Sequence, residues 1–235
     1  MVLNKAKGRM FKSVGWTWNP ITGCTHDCPY CWARSLCERY GRSFEPKLNV
    51  NKLLEKLPDD GTWIFLGSMG DLFCYGFDSH QIYEVLNVLE CYKGSNKFLL
   101  QTKNPVRAIN FIDQLTQLKD KIIIGTTIET NRETLGHAPK TIERYAAMVF
   151  FDKLGFKTFL SLEPLADFDI GDMTNWILDI QPEAVELGLE NYTKFLTPPP
   201  EMKIIDLIAF LEDCKIPFIL KDNLASLASK GERIK

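Results

Sequence analysis

The chain has 235 residues, of which 45% are hydrophobic and 25% are charged, and its formal net charge is −2 at pH 7. A chain of this length can bury one sizeable core, and its charge balance excludes a general electrostatic attraction to nucleic acid. No apolar run approaches the roughly 20 residues that span a bilayer, and the basic N-terminal residues lack the apolar core of a secretory signal. We therefore expect a cytoplasmic protein with no membrane partner.

Short apolar runs alternate along the chain with segments of helical periodicity. The runs predicted as strands are 17–22, 62–67, 97–102, 121–127, 157–163, 183–188 and 217–221. The segments predicted as helices are 79–93, 105–118, 140–154 and 201–214. The clearest is 79–93, where Ile82, Val85, Leu86 and Leu89 recur at i, i+3, i+4 and i+7.

This alternation predicts an α/β fold in which parallel strands are joined by right-handed crossovers. The strands are nearly all apolar, as is typical of a sheet covered on both faces. A doubly wound sheet and a barrel both fit the pattern. In either architecture ligands bind at the carboxyl ends of the strands.

Polar residues follow most of the predicted strands. They are Asp71 in "GSMGD" (67–71), Thr102 and Lys103, Glu129, Glu163, Glu190 and Asn191, and Lys221 and Asp222. Each one alone is explained equally well as a strand-end residue that faces water. Their recurrence at the same end of the strands predicts that they converge on one mouth if the sheet curls into a barrel.

Three of the seven cysteines fall within eight residues, just past the first predicted strand. They are Cys24, Cys28 and Cys31 in "WNPITGCTHDCPYCWAR" (18–34). Thiolates are soft, anionic ligands that suit iron–sulfur clusters or zinc. Structural zinc takes four ligands, commonly as two separated pairs. Here His26 and Cys37 are the candidates for the fourth ligand of such a site.

Three protein ligands on a four-iron cluster would leave one iron open, which is typical of a catalytic metal site. The remaining cysteines show no cluster spacing. Cys74 is placed on a loop near the mouth, and Cys91 and Cys214 are interpreted as packed helix residues. The basic end of the chain, "SKGERIK" (229–235), is interpreted as a solvated tail.

The spacing C-x-x-x-C-x-x-C after the first strand, with an aromatic residue before the third cysteine, resembles the radical S-adenosylmethionine (radical SAM) superfamily. Within it, the segments "TWNPITGC", "FLGSMGDLF", "FLLQTKNP", "GTTIET" and "LSLEPL" are similar to an uncharacterised phage and bacterial group that is distantly similar to spore photoproduct lyase. The similarity covers residues 16 to about 165, and "IPFILK" extends it. Trp32 departs from the tyrosine that usually follows the third cysteine.

The resemblance implies a single radical SAM domain over residues 1–235, built as a partial (βα)6 TIM-like barrel with 217–221 as a candidate seventh strand. It implies a [4Fe–4S] cluster on Cys24, Cys28 and Cys31, with S-adenosylmethionine at the open iron. One electron would cleave the cofactor to methionine and a 5′-deoxyadenosyl radical, which would abstract hydrogen from a substrate. An electron donor such as flavodoxin or ferredoxin is implied as a partner.

The resemblance also implies cofactor-binding residues. Tyr30 would flank the adenine; the turn of Gly67, Ser68 and Met69, followed by Asp71, would receive the methionyl amino group.

The third and fourth strand ends add to this set. Thr102 and Lys103 follow the third strand, and Lys103 would pair with the methionyl carboxylate. Glu129 would accept hydrogen bonds from the ribose.

Glu163 and Lys221 come later round the barrel and are the candidate catalytic residues facing the substrate; an ion pair across the mouth is the alternative for them. The similarity to a DNA-repair lyase points to nucleic acid or a nucleotide as substrate. The rival hypothesis is a non-catalytic accessory module that binds zinc or an iron–sulfur cluster.

Overall fold

The computed structural model describes residues 3–8, 10–132, 136–191 and 194–225, and the basic segment 229–235 lies outside these ranges. The strands are β1 Asn4–Lys5, β2 Val14–Trp18, β3 Ile21–Thr22, β4 Lys47–Leu48, β5 Trp63–Leu66, β6 Lys97–Gln101, β7 Ile122–Thr127, β8 Thr158–Leu162, β9 Ala184–Leu187 and β10 Phe218–Leu220. The α-helices are α1 Trp32–Arg39, α2 Val50–Leu53, α3 Ser79–Cys91, α4 Pro105–Ala108, α5 Ile112–Gln117, α6 Thr141–Lys153, α7 Ile170–Ile180 and α8 Glu201–Asp213.

Eight of the described strands form one sheet in the order β1-β2-β5-β6-β7-β8-β9-β10. All neighbours pair in parallel except β1 with β2. β1 and β10 end the order without pairing to each other, so the sheet is open. It curls into a half-barrel. The predicted partial barrel is confirmed, and so is the seventh parallel strand at 217–221.

The sheet separates two apolar clusters. The large one lies between the sheet and the helices and includes Ile64, Phe98, Ile124, Leu160 and Val185. The smaller one lies on the other, concave face, and its buried members are Val14, Leu99, Ile123, Phe159 and Ala184. This alternation along each strand explains why the strand sequences are apolar almost throughout.

Residues 10–13, which we call the N-terminal strap, pack against the concave face. The Phe11 ring lies 5.3 Å from the Phe65 ring and 5.3 Å from the Phe159 ring. Lys12 and Ser13 donate their backbone N–H groups to the Glu186 carboxylate at 3.2 and 3.1 Å. The strap therefore connects the β2 side of the half-barrel to its far side.

The first predicted strand is wrong in its bounds, because 17–22 contains two strands. β2 ends at Trp18, and after Asn19 and Pro20 the short β3 pairs with β4 instead of the main sheet. Pro20 has no N–H to donate to a ladder. The side chain of Asn19 accepts hydrogen bonds from Ser68 Oγ and Met69 N, both at 3.0 Å.

The predicted helix 105–118 is broken at Phe111, which leaves the helical conformation with φ −111° and ψ 21°. Its ring packs against those of Phe73 and Tyr83, so tertiary packing overrides the local pattern. The interpretation of Cys91 and Cys214 as packed residues is wrong, because both are exposed at helix ends. No described helix combines the length and apolar character that crossing a membrane requires.

Candidate active site at the mouth of the half-barrel

The loop that carries the three cysteines is fixed by close backbone contacts. Gly23 bridges to Gly70 of the turn after β5, and Gly23 N donates to Met69 O at 2.9 Å. Gly23 has φ +83°, and a Cβ there would lie 2.2 Å from the carbonyl oxygen of Glu45. Only glycine meets both demands. The cysteine loop is thereby placed against the glycine-containing turn, as the sequence predicts for neighbouring strand ends.

The three cysteines line one cavity of about 380 Å³ at the carboxyl ends of the parallel strands. Cys31 caps α1, its sulfur accepting a hydrogen bond from Arg34 N at 3.4 Å. A helix N-terminus favours a negatively charged sulfur. Cys28 is buried, and this burial raises the pKa of its thiol, whereas nearby Lys103 acts to lower it.

The donor set fits a metal centre with three thiolate ligands and an open position. Cysteine sulfurs are the ligands that iron–sulfur clusters and zinc prefer, and all three cysteines line the same cavity. Their three sulfurs do not all lie within 4.8 Å of one another, whereas Cys24, His26 and Asp71 bring three potential ligand atoms of the described residues within that distance.

The two candidates for a fourth zinc ligand are His26 and Cys37. His26 contacts a carboxylate, and Cys37 lies in a helix. His26 Nε2 lies 2.8 Å from Asp71 Oδ2, and His26 is buried. Cys37 lies in α1, a helix that begins after Cys31. The cavity lining includes neither Cys37 nor Cys74. Cys74, which is fully buried, contacts Cys24 from outside the cavity.

A buried network joins Tyr30, Lys103, Glu129 and Arg144. The Tyr30 hydroxyl donates to Glu129 Oε1, and Lys103 Nζ lies 2.5 Å from both that oxygen and the Tyr30 hydroxyl. Arg144 donates to Glu129 Oε2 and to the Thr127 carbonyl, both at 2.7 Å. Burial raises the pKa of Tyr30 well above its usual value, so the phenol stays protonated.

Two cations, Lys103 and Arg144, face the one carboxylate of Glu129 in this network. Lys103 lines the cavity, and its Nζ lies 4.8 Å from the centre of the Tyr30 ring. Glu129 is 1% exposed. The network therefore presents a cation to a ligand and keeps the carboxylate behind it.

The Asp71 carboxylate is saturated by protein donors. It accepts from Phe73 N at 2.9 Å, Thr102 Oγ1 at 2.7 Å and Lys103 N at 2.8 Å, in addition to its contact with His26. Burial opposes the ionised form, but His26 and these hydrogen bonds lower the pKa of Asp71 below its ordinary value. Asp71 thus ties the turn after β5 to the end of β6.

The turn Gly67–Ser68–Met69 precedes Asp71. Gly67 has φ +78°, and a Cβ there would lie 2.8 Å from Ile21 Cδ1. Ser68 lines the cavity. The predicted glycine turn is therefore present beside the cysteine loop, with Asn19 ordering it.

Glu163 and Lys221 form an ion pair, which is the predicted alternative to a catalytic role for these two residues. Lys221 Nζ lies 3.3 Å from Glu163 Oε2 and 3.2 Å from Glu186 Oε2. Lys221 is 4% exposed, and its Nζ lies 4.9 Å from the centre of the Phe11 ring. Glu163 lines the cavity, as do Glu190 and Asn191.

Sequence reasoning missed several residues in and around this site, among them Gln101, Thr127, Arg144 and Glu186. Arg144 lies inside a helix, and Glu186 lies inside a strand, so neither follows a strand as the predicted site residues do. The only signal for Glu186 is a charged residue within an otherwise apolar strand, since such a residue is seldom fully buried without partners.

Solved structures with the same fold include radical SAM enzymes. A mutant of spore photoproduct lyase superposes with a TM-score of 0.66 at 13% identity, covering 93% of this chain and 78% of that one. A second mutant, with bound AdoMet and dinucleoside spore photoproduct, gives a TM-score of 0.60 at 15% identity over 80% and 60% of the two chains. Streptococcus suis SuiB bound to S-adenosylmethionine gives 0.52 at 13% identity, over 87% and 46%. The fold is that of the radical SAM enzymes.

The chain belongs to the family described as "Protein of unknown function (DUF5131)", which matches residues 11–179. It is also similar to the uncharacterized protein ORF301 of Acidianus two-tailed virus, with 24% identity over 176 residues. That alignment covers 65% of this chain and 56% of the viral protein, so the chain spans little more than half of that relative.

Proposed function

We propose that the protein is a radical SAM enzyme of the reducing cytoplasm that holds a [4Fe–4S] cluster on Cys24, Cys28 and Cys31. When bound, the cluster and S-adenosylmethionine supply one-electron cleavage of the sulfonium C–S bond, giving methionine and a 5′-deoxyadenosyl radical that takes hydrogen from a substrate. The observation that carries the proposal is that all three cysteine side chains line the cavity at the carboxyl ends of a parallel half-barrel.

In this proposal the surrounding residues orient the cofactor and exclude water. Lys103 offers its ammonium to the methionyl carboxylate, because Lys103 lines the cavity whereas its partner Glu129 does not. Tyr30 flanks the adenine. A ribose contact of Glu129 would require the cofactor to displace Tyr30 or Lys103 from Glu129 Oε1, because Glu129 does not line the cavity in the present structure.

The other predicted residues have matching roles. Gly67, Ser68 and Met69 receive the amino group, and Asp71 and Thr102 order the backbone around them. Glu163 and Lys221 lie on the substrate side, and the substrate is a nucleic acid or nucleotide. A flavodoxin- or ferredoxin-type protein delivers the electron.

The test is anaerobic purification and reconstitution of the full chain. We expect a brown protein with about four irons per chain that releases 5′-deoxyadenosine when reduced with dithionite in the presence of S-adenosylmethionine. Cys28→Ala should lose the iron and the product together. Cys37→Ala is the matched control, because Cys37 lies in α1 and does not line the cavity.

The rival accessory module predicts a different outcome. A colourless protein loaded with zinc, or an iron-loaded protein that binds S-adenosylmethionine but never cleaves it, would refute the proposed activity. Loss of metal in Cys37→Ala as well as in Cys28→Ala would support a four-ligand site.

A further inference from the structure

Three side chains with different metal-binding atoms meet beside the cysteine loop. They are Cys24, His26 and Asp71, and one sulfur, one imidazole nitrogen and one carboxylate oxygen from them all lie within 4.8 Å of one another. Cys28 and Cys31 do not belong to this group. The three residues of the group all line the cavity, so water in the cavity can reach a fourth position beside them. Sulfur, nitrogen and oxygen atoms in one compact set are the donors that zinc accepts at tetrahedral sites.

The backbone brings these ligands together before any metal binds. Gly23 bridges to Gly70, and the residues that follow these two glycines are Cys24 and Asp71. His26 lies two positions after Cys24, and its backbone N–H donates to the Cys24 sulfur at 3.4 Å. His26 and Asp71 are both buried. Since the ligands are already ordered, a metal ion would bind with little loss of conformational entropy.

The Asp71 carboxylate has the surroundings of a metal ligand. Its Oδ1 accepts from Phe73 N and Thr102 Oγ1, and its Oδ2 accepts from Lys103 N. Hydrogen bonds of this kind orient carboxylates that bind metals. His26 Nε2 lies 2.8 Å from Oδ2. A zinc ion would therefore take the place of the hydrogen between these two atoms and keep the other contacts of the carboxylate.

The distances between the three ligand atoms are close to those of a bound zinc ion. Bonds of about 2.0–2.3 Å place ligand atoms on one tetrahedral zinc ion about 3.3–3.8 Å apart. The contact of His26 with Asp71 would open from 2.8 Å. Starting from 4.8 Å or less, the other pair distances would close by at most about 1.5 Å. Changes of this size are small side-chain rotations that leave the backbone contacts in place.

We propose that the chain without a cluster binds one zinc ion, or a similar divalent transition ion, through Cys24, His26 and Asp71, with water from the cavity as the fourth ligand. Binding releases the proton of the Cys24 thiol to solvent, and the neutral imidazole of His26 keeps its proton on Nδ1. The cluster of the proposed function also needs Cys24, so the ion and the cluster exclude each other. This exclusion rests on the proposed function, whereas the zinc site does not.

The experiment titrates the full chain with Co²⁺, a spectroscopic substitute for zinc, after a chelator has removed bound metal under anaerobic conditions with a phosphine reductant. Visible bands report tetrahedral coordination, and the thiolate-to-cobalt charge-transfer band reports how many thiolates bind. Zinc affinity is measured by competition with cobalt. The variants are Asp71→Asn and His26→Gln, which removes the imidazole but keeps an amide that can contact Asp71. His80→Gln is the control, because His80 is exposed at the start of α3.

We expect wild type to bind one Co²⁺ with the charge-transfer intensity of one thiolate, and Zn²⁺ to displace it. His26→Gln and Asp71→Asn should weaken binding by more than the roughly 10–100-fold that loss of an outer-shell partner costs. Urea unfolding without metal shows that the variants are folded. Cys28→Ala and His80→Gln should bind the ion as wild type does.

Iron uptake tests the exclusion. The metal-free chain is reconstituted with iron and sulfide with and without an equimolar amount of Zn²⁺, and its iron content is measured. Zinc should lower the iron content of wild type several-fold and should have little effect on that of His26→Gln. Equal iron content of wild type with and without zinc would overturn the exclusion.

The zinc site itself is refuted if wild type binds no cobalt, or if His26→Gln or Asp71→Asn binds it as wild type does. A band with the intensity of three thiolates that disappears in Cys28→Ala would also refute it, because the three cysteines would then hold the ion. The zinc-free reconstitution judges the proposed function separately. If no cluster forms there although cobalt binding depends on His26, the proposed function is wrong and the zinc site stands. The opposite pair of results has the opposite meaning.

Discussion

The carboxylate of Glu129 shares its two oxygens among Tyr30, Lys103 and Arg144 in a buried site. Burying two cations is costly unless an anion compensates them. Glu129 is the one carboxylate among the contacts described for Arg144, whose side chain is 0% exposed. The position of Lys103 in the cavity therefore depends on a residue that the cavity lining does not include.

Replacing Glu129 by Gln should lower the free energy of unfolding at pH 7 by about 3–5 kcal/mol, because it leaves Arg144 buried without its anion. Lys103→Met should cost less, since Lys103 is partly exposed and its loss leaves Glu129 paired with Arg144. Urea unfolding under anaerobic conditions measures both. Equal losses in the two variants would show that Glu129 does not compensate Arg144.

The effect of Glu129 should also depend on pH. Burial alone would raise the pKa of Glu129, but Lys103 and then Arg144 outweigh it and lower the pKa to about 2. The unfolded chain titrates near the usual value of about 4.3. Because the folded pKa is the lower of the two, the stabilisation is complete above the unfolded pKa and is lost as the pH falls from about 5 towards 2. The difference between wild type and Glu129→Gln should shrink over that window.

At the scale of elements, the cysteine loop depends on how closely its backbone approaches two other segments. Gly23 contacts the turn at Gly70 on one side and the backbone of Phe44 and Glu45 on the other. Cys24 N donates to Phe44 O at 3.3 Å. These contacts orient Cys24, the first residue of the cysteine spacing, towards the cavity.

Gly23→Ala should therefore displace the loop, with a loss of about 2–4 kcal/mol in the free energy of unfolding and a reduced iron content. Gly41→Ala is the matched control, because Gly41 also has a positive φ, +59°, but a Cβ there would meet nothing within 4 Å. Gly41→Ala should lower the free energy of unfolding by only about 1 kcal/mol, because alanine is strained at a positive φ but meets no neighbouring atom there. Urea unfolding and iron analysis of both variants test this prediction. If Gly41→Ala lost as much iron as Gly23→Ala, the close backbone contacts of Gly23 would not be what places the cysteine loop.

The sequence predicts elements well where local and tertiary signals agree. In α3, the apolar spacing of Ile82, Val85 and Leu86 coincides with a capping box between Asp78 and Gln81, and the predicted helix is confirmed. The helix at 170–180 was not predicted, although its buried face, Met173, Ile177 and Ile180, has helical spacing.

The sequence could also predict that the cysteine loop and the strand-end residues lie together, because parallel strands bring their carboxyl ends to one edge of the sheet. What the sequence could not show is which partner each side chain takes. The link from Lys12 to Glu186 spans 174 positions, and no local pattern indicates it. The contact of His26 with Asp71 likewise spans 45 positions.

At the scale of the whole molecule, the N-terminal strap contacts the β9 and β10 side of the half-barrel. Lys12 Nζ donates to the Leu220 carbonyl of β10 at 3.1 Å and lies 3.0 Å from Asp222. Glu186 receives the strap backbone and contacts Lys221. One carboxylate therefore connects the strap to β9 and to the residue after β10, next to the candidate catalytic Lys221.

Glu186→Gln should lower the free energy of unfolding by about 3 kcal/mol, because it breaks a buried pair and weakens the acceptor of two backbone N–H groups. Glu183→Gln is the matched control, because Glu183 directly precedes β9 and its ion pair lies at the surface. Its pair with Lys157 is 43–51% exposed and is worth at most about 1 kcal/mol.

Amide hydrogen exchange separates a local from a global effect in these variants. If Glu186 fixes the strap, exchange at Lys12 and Ser13 should accelerate in Glu186→Gln more than exchange in the centre of β7. Equal acceleration at both places would mean that Glu186 contributes only to overall stability. The strap would then be an N-terminal segment that packs on a self-sufficient half-barrel, and Phe11 would form a cavity wall without maintaining the curvature around it.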